Sequence, residues 1–127
     1  MNALRILHVD DEEALTHIFR IILEGTGRFV VREECSANHA IEAAHDFRPD
    51  LILLDKGLDE KDGEALAAEM QADRELRGVP IAYVTGDTTH DEAAAEITPT
   101  LAKPVSPAEL LGFVDALLDF NTACTDD

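Results

Sequence analysis

Apolar and polar positions switch between two periods along this chain. Leu4-Arg5-Ile6-Leu7-His8-Val9 is a short apolar run that stops at Asp10-Asp11 and predicts a buried strand. Leu15, Ile18, Phe19, Ile22 and Leu23 then recur at helical spacing, with Glu12 and Glu13 at the start, where the helix dipole favours anions. Gly25 and Gly27 end that helix. Phe29-Val30-Val31 opens a second strand that turns polar at Arg32-Glu33-Glu34, as suits a sheet edge. Ala40, Ile41, Ala44 and Phe47 form the stripe of a second helix, closed before Pro49.

Leu51-Ile52-Leu53-Leu54 is the most apolar stretch and reads as a central strand covered on both faces, ending at Asp55. A charged loop runs from Lys56 to Gly63, with Asp62 expected to cap a third helix carrying Leu66, Ala67 and Met70. Val79 to Val84 is the fourth strand, ending at Thr85-Gly86. Thr89 and Glu92 suggest a capping box for a short, Ala-rich fourth helix. Leu101-Ala102 is a brief fifth strand before Lys103-Pro104. Ser106-Pro107-Ala108-Glu109 is a strong helix start, and Leu110, Leu111, Val114, Leu117 and Leu118 mark the last helix. The chain after Phe120 is polar and is expected to fray.

Five strands alternating with five helices imply an α/β fold, a parallel sheet with helices on both faces. At 127 residues the chain has the size of one domain, without repeats or linkers. In open sheets of this kind ligands bind beyond the carboxyl ends of the strands. The residues that follow the strands there are Asp10 and Asp11, Asp55, Thr85 and Lys103. Carboxylates, a hydroxyl and an ammonium are thus aimed at one crevice.

The charge sharpens this picture. Ten Lys plus Arg stand against 27 Asp plus Glu, a formal net charge of −17. Nucleic acid and anionic membrane surfaces would repel such a chain, which argues against both as direct partners. A bound cation, a basic partner, or solubility in a salty cytoplasm all agree with it. Lysine occurs only at 56, 61 and 103, so an ammonium at the crevice stands out. Cys35 and Cys124 are too few for a disulfide framework and read as free thiols in a reducing compartment. No apolar stretch nears the roughly 18–20 residues of a membrane span, and the first residues lack the pattern of a secretion signal, so a cytoplasmic location is expected.

Clustered carboxylates repel one another, and a hard divalent cation such as Mg2+ relieves the repulsion through oxygen ligands. A carboxylate can attack phosphorus to give an acyl phosphate. Phosphoryl transfer then needs mainly positioning and charge neutralisation. Asp55 ends the central strand and is the best-placed acceptor. Lys103 can add positive charge, and Thr85 can donate one hydrogen bond to a phosphoryl oxygen.

The set of Asp10-Asp11-Glu12, Pro49-Asp50-Leu51-Ile52-Leu53-Leu54-Asp55, Asp62-Gly63, Thr85-Gly86 and Lys103-Pro104 resembles the receiver domain of two-component response regulators. The likeness spans Leu4 to about Leu118 and points to the single-domain, chemotaxis-regulator type. It implies a flavodoxin-like sheet of order 2-1-3-4-5, with a shortened fourth helix, a receiver domain over residues 1–121 and a polar C-terminal tail over 122–127. It implies that Asp55 accepts a phosphoryl group from a phosphohistidine on a sensor histidine kinase or histidine phosphotransfer protein. Asp10, Asp11, Asp55 and the main-chain carbonyl of Gly57 would hold Mg2+, Asp11 more directly and Asp10 partly through water. Lys103 would pair with the acyl phosphate, across a Lys103–Pro104 bond of a kind often cis in the family. Thr85 would move toward the phosphoryl group and switch the domain. Such a protein is a phosphoacceptor, not an enzyme beyond self-catalysed phosphorylation and dephosphorylation.

The sequence also departs from the pattern. Asp59 stands where proline is common, Lys56 where an apolar residue is usual, and Thr100 in place of the usual switch aromatic. The segment from Thr85 to Lys103 is a few residues short. A phosphorylation-independent receiver used as a binding module is therefore an alternative, as is a small Mg2+-dependent phosphohydrolase. The hydrolase reading is weakened by Gly57, where a second Asp would be wanted. With no output domain within these residues, the expected route onward is docking to a downstream protein or passing the phosphoryl group on. The histidines share no metal-ligand spacing. His8 and Tyr83 read as packing residues.

Overall fold

The computed structural model describes residues 3–58, 61–86 and 99–125, with side chains through Leu118. The expected fourth helix from Thr89, and the positions of Asp59 and His90, lie outside the described residues.

Among the described residues there are five strands, β1 (Leu4–Val9), β2 (Phe29–Glu34), β3 (Leu51–Asp55), β4 (Ile81–Thr85) and β5 (Thr100–Ala102). They form one sheet of order β2-β1-β3-β4-β5, parallel throughout, as expected. Between them run α1 (Glu13–Glu24), α2 (Ala40–Phe47) behind a short 3-10 turn, and α3 (Gly63–Ala72). The C-terminal helix α4 (Pro107–Thr125) closes the chain.

Alternation along the strands sends side chains to two cores. Leu7, Val9, Ile52, Leu54, Ile81 and Tyr83 pack against Ala40, Ala44, Leu66 and Met70, which places α2 and α3 on one face. Ile6, Leu51, Leu53, Ala82 and Val84 pack against Phe19, Leu23, Leu110 and Val114, which places α1 and α4 on the other. Leu51 to Leu54 are fully buried. Each contributes on the order of 1.5–3 kcal/mol relative to exposure. That burial anchors the strand ending in Asp55.

The local signals are realised with three differences. Ser106 and Glu109 form the reciprocal box at the start of α4: the Glu109 amide donates to Ser106 Oγ at 3.1 Å, and the Ser106 amide donates to Glu109 Oε1 at 3.2 Å. Asp62 does occupy the N-cap of α3, but its side chain makes no capping hydrogen bond. Residues 122–125, expected as a frayed tail, continue α4 to Thr125. Extending an existing helix adds one backbone bond per residue ordered, and no Gly or Pro interrupts this stretch. The chain turns out of α2 at Arg48, whose φ of 54° is left-handed, a conformation the periodicity does not announce.

Candidate functional site

The carboxyl ends of the central strands converge. β1 and β3 run in register with Val9 opposite Leu54, so Asp10 and Asp55 follow as neighbours one step further on. On the other side Asp55 pairs with Val84, and Thr85 comes next. The Lys103 amide donates to the Thr85 carbonyl at 2.8 Å, which carries the ladder past the end of β5 and brings the lysine to the same edge. Asp10, Asp55 and Thr85 are buried polar residues in an otherwise apolar interior.

Each carboxyl is held by the backbone beside it. Asp10 Oδ1 accepts the Glu12 amide at 2.9 Å, and Asp55 Oδ1 accepts the Gly57 amide at 3.1 Å. The outer oxygens face Lys103, whose Nζ lies 3.0 Å from Asp10 Oδ2 and 3.7 Å from Asp55 Oδ2. Glu12 adds a third carboxyl, with Oε1 3.5 Å from the same ammonium. The Lys103–Pro104 peptide is cis.

The charges here are strained by burial. Asp10 is wholly buried, and its carboxyl is pushed up to about 6, mainly by burial and further by Asp55, against the pull of the Glu12 amide and Lys103. For Lys103 burial opposes the charge, but Asp10, and then Asp55 and Glu12, outweigh it and raise its pKa.

One oxygen each from Asp10, Asp11 and Asp55 lie within 4.8 Å of one another. Asp10 Oδ2 is buried without a directed hydrogen bond among the described residues. Hard oxygen donors at this spacing, one of them buried with no partner beyond its ion pair to Lys103, fit a hard divalent cation such as Mg2+.

Gly63 explains the Asp62-Gly63 motif. A Cβ there would stand 2.4 Å from the Asp55 carbonyl oxygen and 2.7 Å from Lys56 Cα. The start of α3 therefore packs onto the chain just beyond the proposed acceptor, and only glycine fits.

All the residues singled out from the sequence are brought to this edge: Asp10, Asp11, Asp55, Gly57, Thr85 and Lys103. Lys56 finds a local role, its ammonium lying 5.4 Å from the centroid of the Tyr83 ring, which is itself packed in the core. Thr100, at the position of the usual aromatic, opens β5 opposite Tyr83. Two features were missed. Glu12 was read only as a helix-start residue, yet it both anchors Asp10 and approaches Lys103. His8 reads as packing, and it is fully buried against Phe19, but its Nε2 also faces Asp10 Oδ2 at 3.9 Å. Its position two residues before Asp10, near the end of β1, was the available signal.

Comparison with known proteins agrees with this architecture. The sequence pattern of the response regulator receiver domain matches residues 6–115, and the chain belongs to that family. It is 33% identical over 121 residues to the DNA-binding response regulator MtrA of Mycolicibacterium paratuberculosis, covering 92% of this chain and 52% of that protein. It thus spans about half the length of that relative. It is 34% identical over 80 residues to the polar-differentiation response regulator DivK of Brucella ovis, covering 63% of this chain and 64% of that one. The crystal structure of a CheY-like response regulator receiver domain protein from Methanospirillum hungatei superposes with a TM-score of 0.85 at 25% identity, covering 96% of this chain and 98% of that one. The chain is therefore a signalling domain with the receiver fold. Among the described residues no helix is long and apolar enough to cross a membrane.

Proposed function

We propose that this receiver domain is a phosphoacceptor in a two-component system, with Asp55 as the residue that takes the phosphoryl group. The observation that carries the reading is the cluster of Asp10, Asp11 and Asp55 oxygens with Lys103 Nζ set against two of them, 3.0 Å from Asp10 Oδ2 and 3.7 Å from Asp55 Oδ2.

The donor is a phosphohistidine on a sensor histidine kinase or a histidine phosphotransfer protein. Asp55 Oδ1 is engaged by the Gly57 amide, which leaves Oδ2, the oxygen that Lys103 approaches, as the nucleophile. Its lone pair forms the O–P bond while the P–N bond to the donor imidazole breaks, and the electron pair leaves with the nitrogen. The product is an acyl phosphate on Asp55. Lys103 pairs with the new phosphoryl oxygens, and Thr85 donates a hydrogen bond to one of them. Asp10, Asp11, Asp55 and the Gly57 carbonyl would hold Mg2+, which when bound offsets negative charge on the transferring group. The signal then passes to a protein partner by docking or by onward transfer of the phosphoryl group. The net charge of −17 argues against direct contact with nucleic acid or anionic lipid. A cytoplasmic setting goes with this reading, because phosphohistidine donors are made from ATP.

Intact-protein mass after incubation with Mg2+ and acetyl phosphate tests the proposal. A gain of one phosphoryl group, absent in Asp55→Ala and in excess chelator, is expected. No gain from acetyl phosphate or from a phosphohistidine donor would leave the chain as a binding module.

A further inference from the structure

His8 is wholly buried, and neither ring nitrogen has a hydrogen-bond partner among the described residues. Its ring stacks on Phe19, with centroids 4.4 Å apart and planes 16° apart, which fixes the ring plane. Nε2 lies 3.9 Å from Asp10 Oδ2, which is buried and ion-paired to Lys103 at 3.0 Å. Buried polar groups normally have partners, so two orphaned nitrogens on one residue, one of them facing a buried carboxylate oxygen, call for an explanation. Packing does not supply one, since an apolar side chain would fill this space, as Ile6 does on the same face of β1. Wholly buried against Phe19 and without a partner on either nitrogen, the ring is a neutral imidazole carrying one N–H.

Lys103 now holds Asp10 Oδ2 at 3.0 Å while standing 3.7 Å from Asp55 Oδ2. Pairing with a phosphoryl group on Asp55 draws the ammonium off Asp10. We propose that His8, with its proton on Nε2, is the positioning residue for Asp10, donating to Oδ2 as Lys103 withdraws and so keeping that carboxylate aimed at the divalent cation. The inference rests on the reading of Asp10, Asp11 and Asp55 as a phosphoryl-transfer site. The present gap is too long for a hydrogen bond, and a shift of roughly 1 Å in the Asp10 carboxyl closes it. Hydrogen bonds to a ligating carboxylate set its orientation, and their loss weakens metal binding about 10- to 100-fold.

Lys103→Met removes the ammonium and mimics its withdrawal without any phosphorylation. In that background, calorimetric titration with Mg2+ is compared for His8, His8→Phe and His8→Gln. Phe keeps a ring against Phe19 but has no donor, whereas Gln offers an N–H near the Nε2 position. Circular dichroism checks that each variant folds. His8→Phe is expected to weaken Mg2+ binding about tenfold, and His8→Gln to recover most of it. Binding by His8→Phe within about twofold of its parent overturns the inference. Nitrogen-15 NMR of the His8 ring in the Lys103→Met protein gives a readout independent of metal. A protonated Nε2 supports the pairing, and a proton on Nδ1 overturns it. Failure of the unmodified chain to bind Mg2+ counts instead against the phosphoryl-transfer site, and the tautomer then decides the His8–Asp10 pairing by itself.

Discussion

Replacing Asp10 by Asn should stabilise the protein at neutral pH when no divalent cation is present. The carboxyl is wholly buried, one oxygen lacks a directed hydrogen bond, and burial lifts its pKa from the ordinary 3.8 to about 6. That difference amounts to about 3 kcal/mol by which the fold disfavours the ionised form. Because the folded value is raised, this group's contribution is fully favourable below pH 3.8 and is lost as pH rises through about 6. Asn keeps an oxygen for the Glu12 amide but gives up the Lys103 ion pair. The net gain above pH 6 is therefore about 1–3 kcal/mol, a Tm rise of roughly 4–12 °C for a domain of this size. Thermal unfolding followed by circular dichroism, in chelator and at fixed salt, measures it. The gap between Asp10→Asn and the unmodified protein should be full at pH 7.5 and close toward pH 4. Excess Mg2+ should then raise the Tm of the unmodified protein and not that of the variant. Equal Tm values at pH 7.5, or a gap that does not change with pH, would refute the account of Asp10 as a carboxylate held at a cost.

Three further outcomes follow from other parts of the molecule. Gly63→Ala forces a Cβ into the Asp55 carbonyl oxygen and Lys56 Cα, so chemical denaturation should show a loss of about 1–3 kcal/mol together with slower phosphoryl uptake; an unchanged midpoint and rate would contradict the close approach. Ser106→Ala removes one half of the reciprocal cap and should cost about 1 kcal/mol, with faster amide exchange at Glu109; unaltered exchange would show that the cap contributes nothing. His45 touches Glu75 and Asp73 at 2.7 Å each, and these partners, Glu75 first, raise its pKa. Its stabilisation is complete below the ordinary 6.5 and lost as pH rises through the raised folded value. The Tm advantage of the unmodified protein over His45→Gln should thus shrink between pH 6 and pH 9, and a constant difference would rule the interaction out as a source of stability.

Much of this site is legible in the amino-acid sequence. Strand ends can be read from short apolar runs that stop at a polar residue, and in a parallel sheet those ends lie at one edge. Asp10, Asp55, Thr85 and Lys103 were found that way, without knowing any distance. Ser106 and Glu109 were legible because a capping box is a local pattern. Asp62 was not, because the same residue type at an N-cap can leave its side chain unused, and only the backbone geometry decides. The left-handed Arg48 was missed for a related reason: that conformation usually falls to Gly or Asn, and an arginine gives no warning. The helical residues 122–125 were read from polarity alone, although an existing helix extends at little cost. His8 shows the deepest limit. Its place in a strand announced burial, but whether a buried histidine is paired, stacked or orphaned depends on Phe19, Asp10 and Lys103 from three separate stretches of the chain.

The most direct test of the central claim is to locate the phosphoryl group. The chain is phosphorylated with acetyl phosphate and Mg2+, the acyl phosphate is reduced with borohydride, and the peptides are sequenced by mass spectrometry. Homoserine at position 55 alone, and none after Lys103→Met under the same brief exposure, is the predicted result. Homoserine at Asp10 or Asp11, or a mass gain that survives in Asp55→Ala, would contradict it.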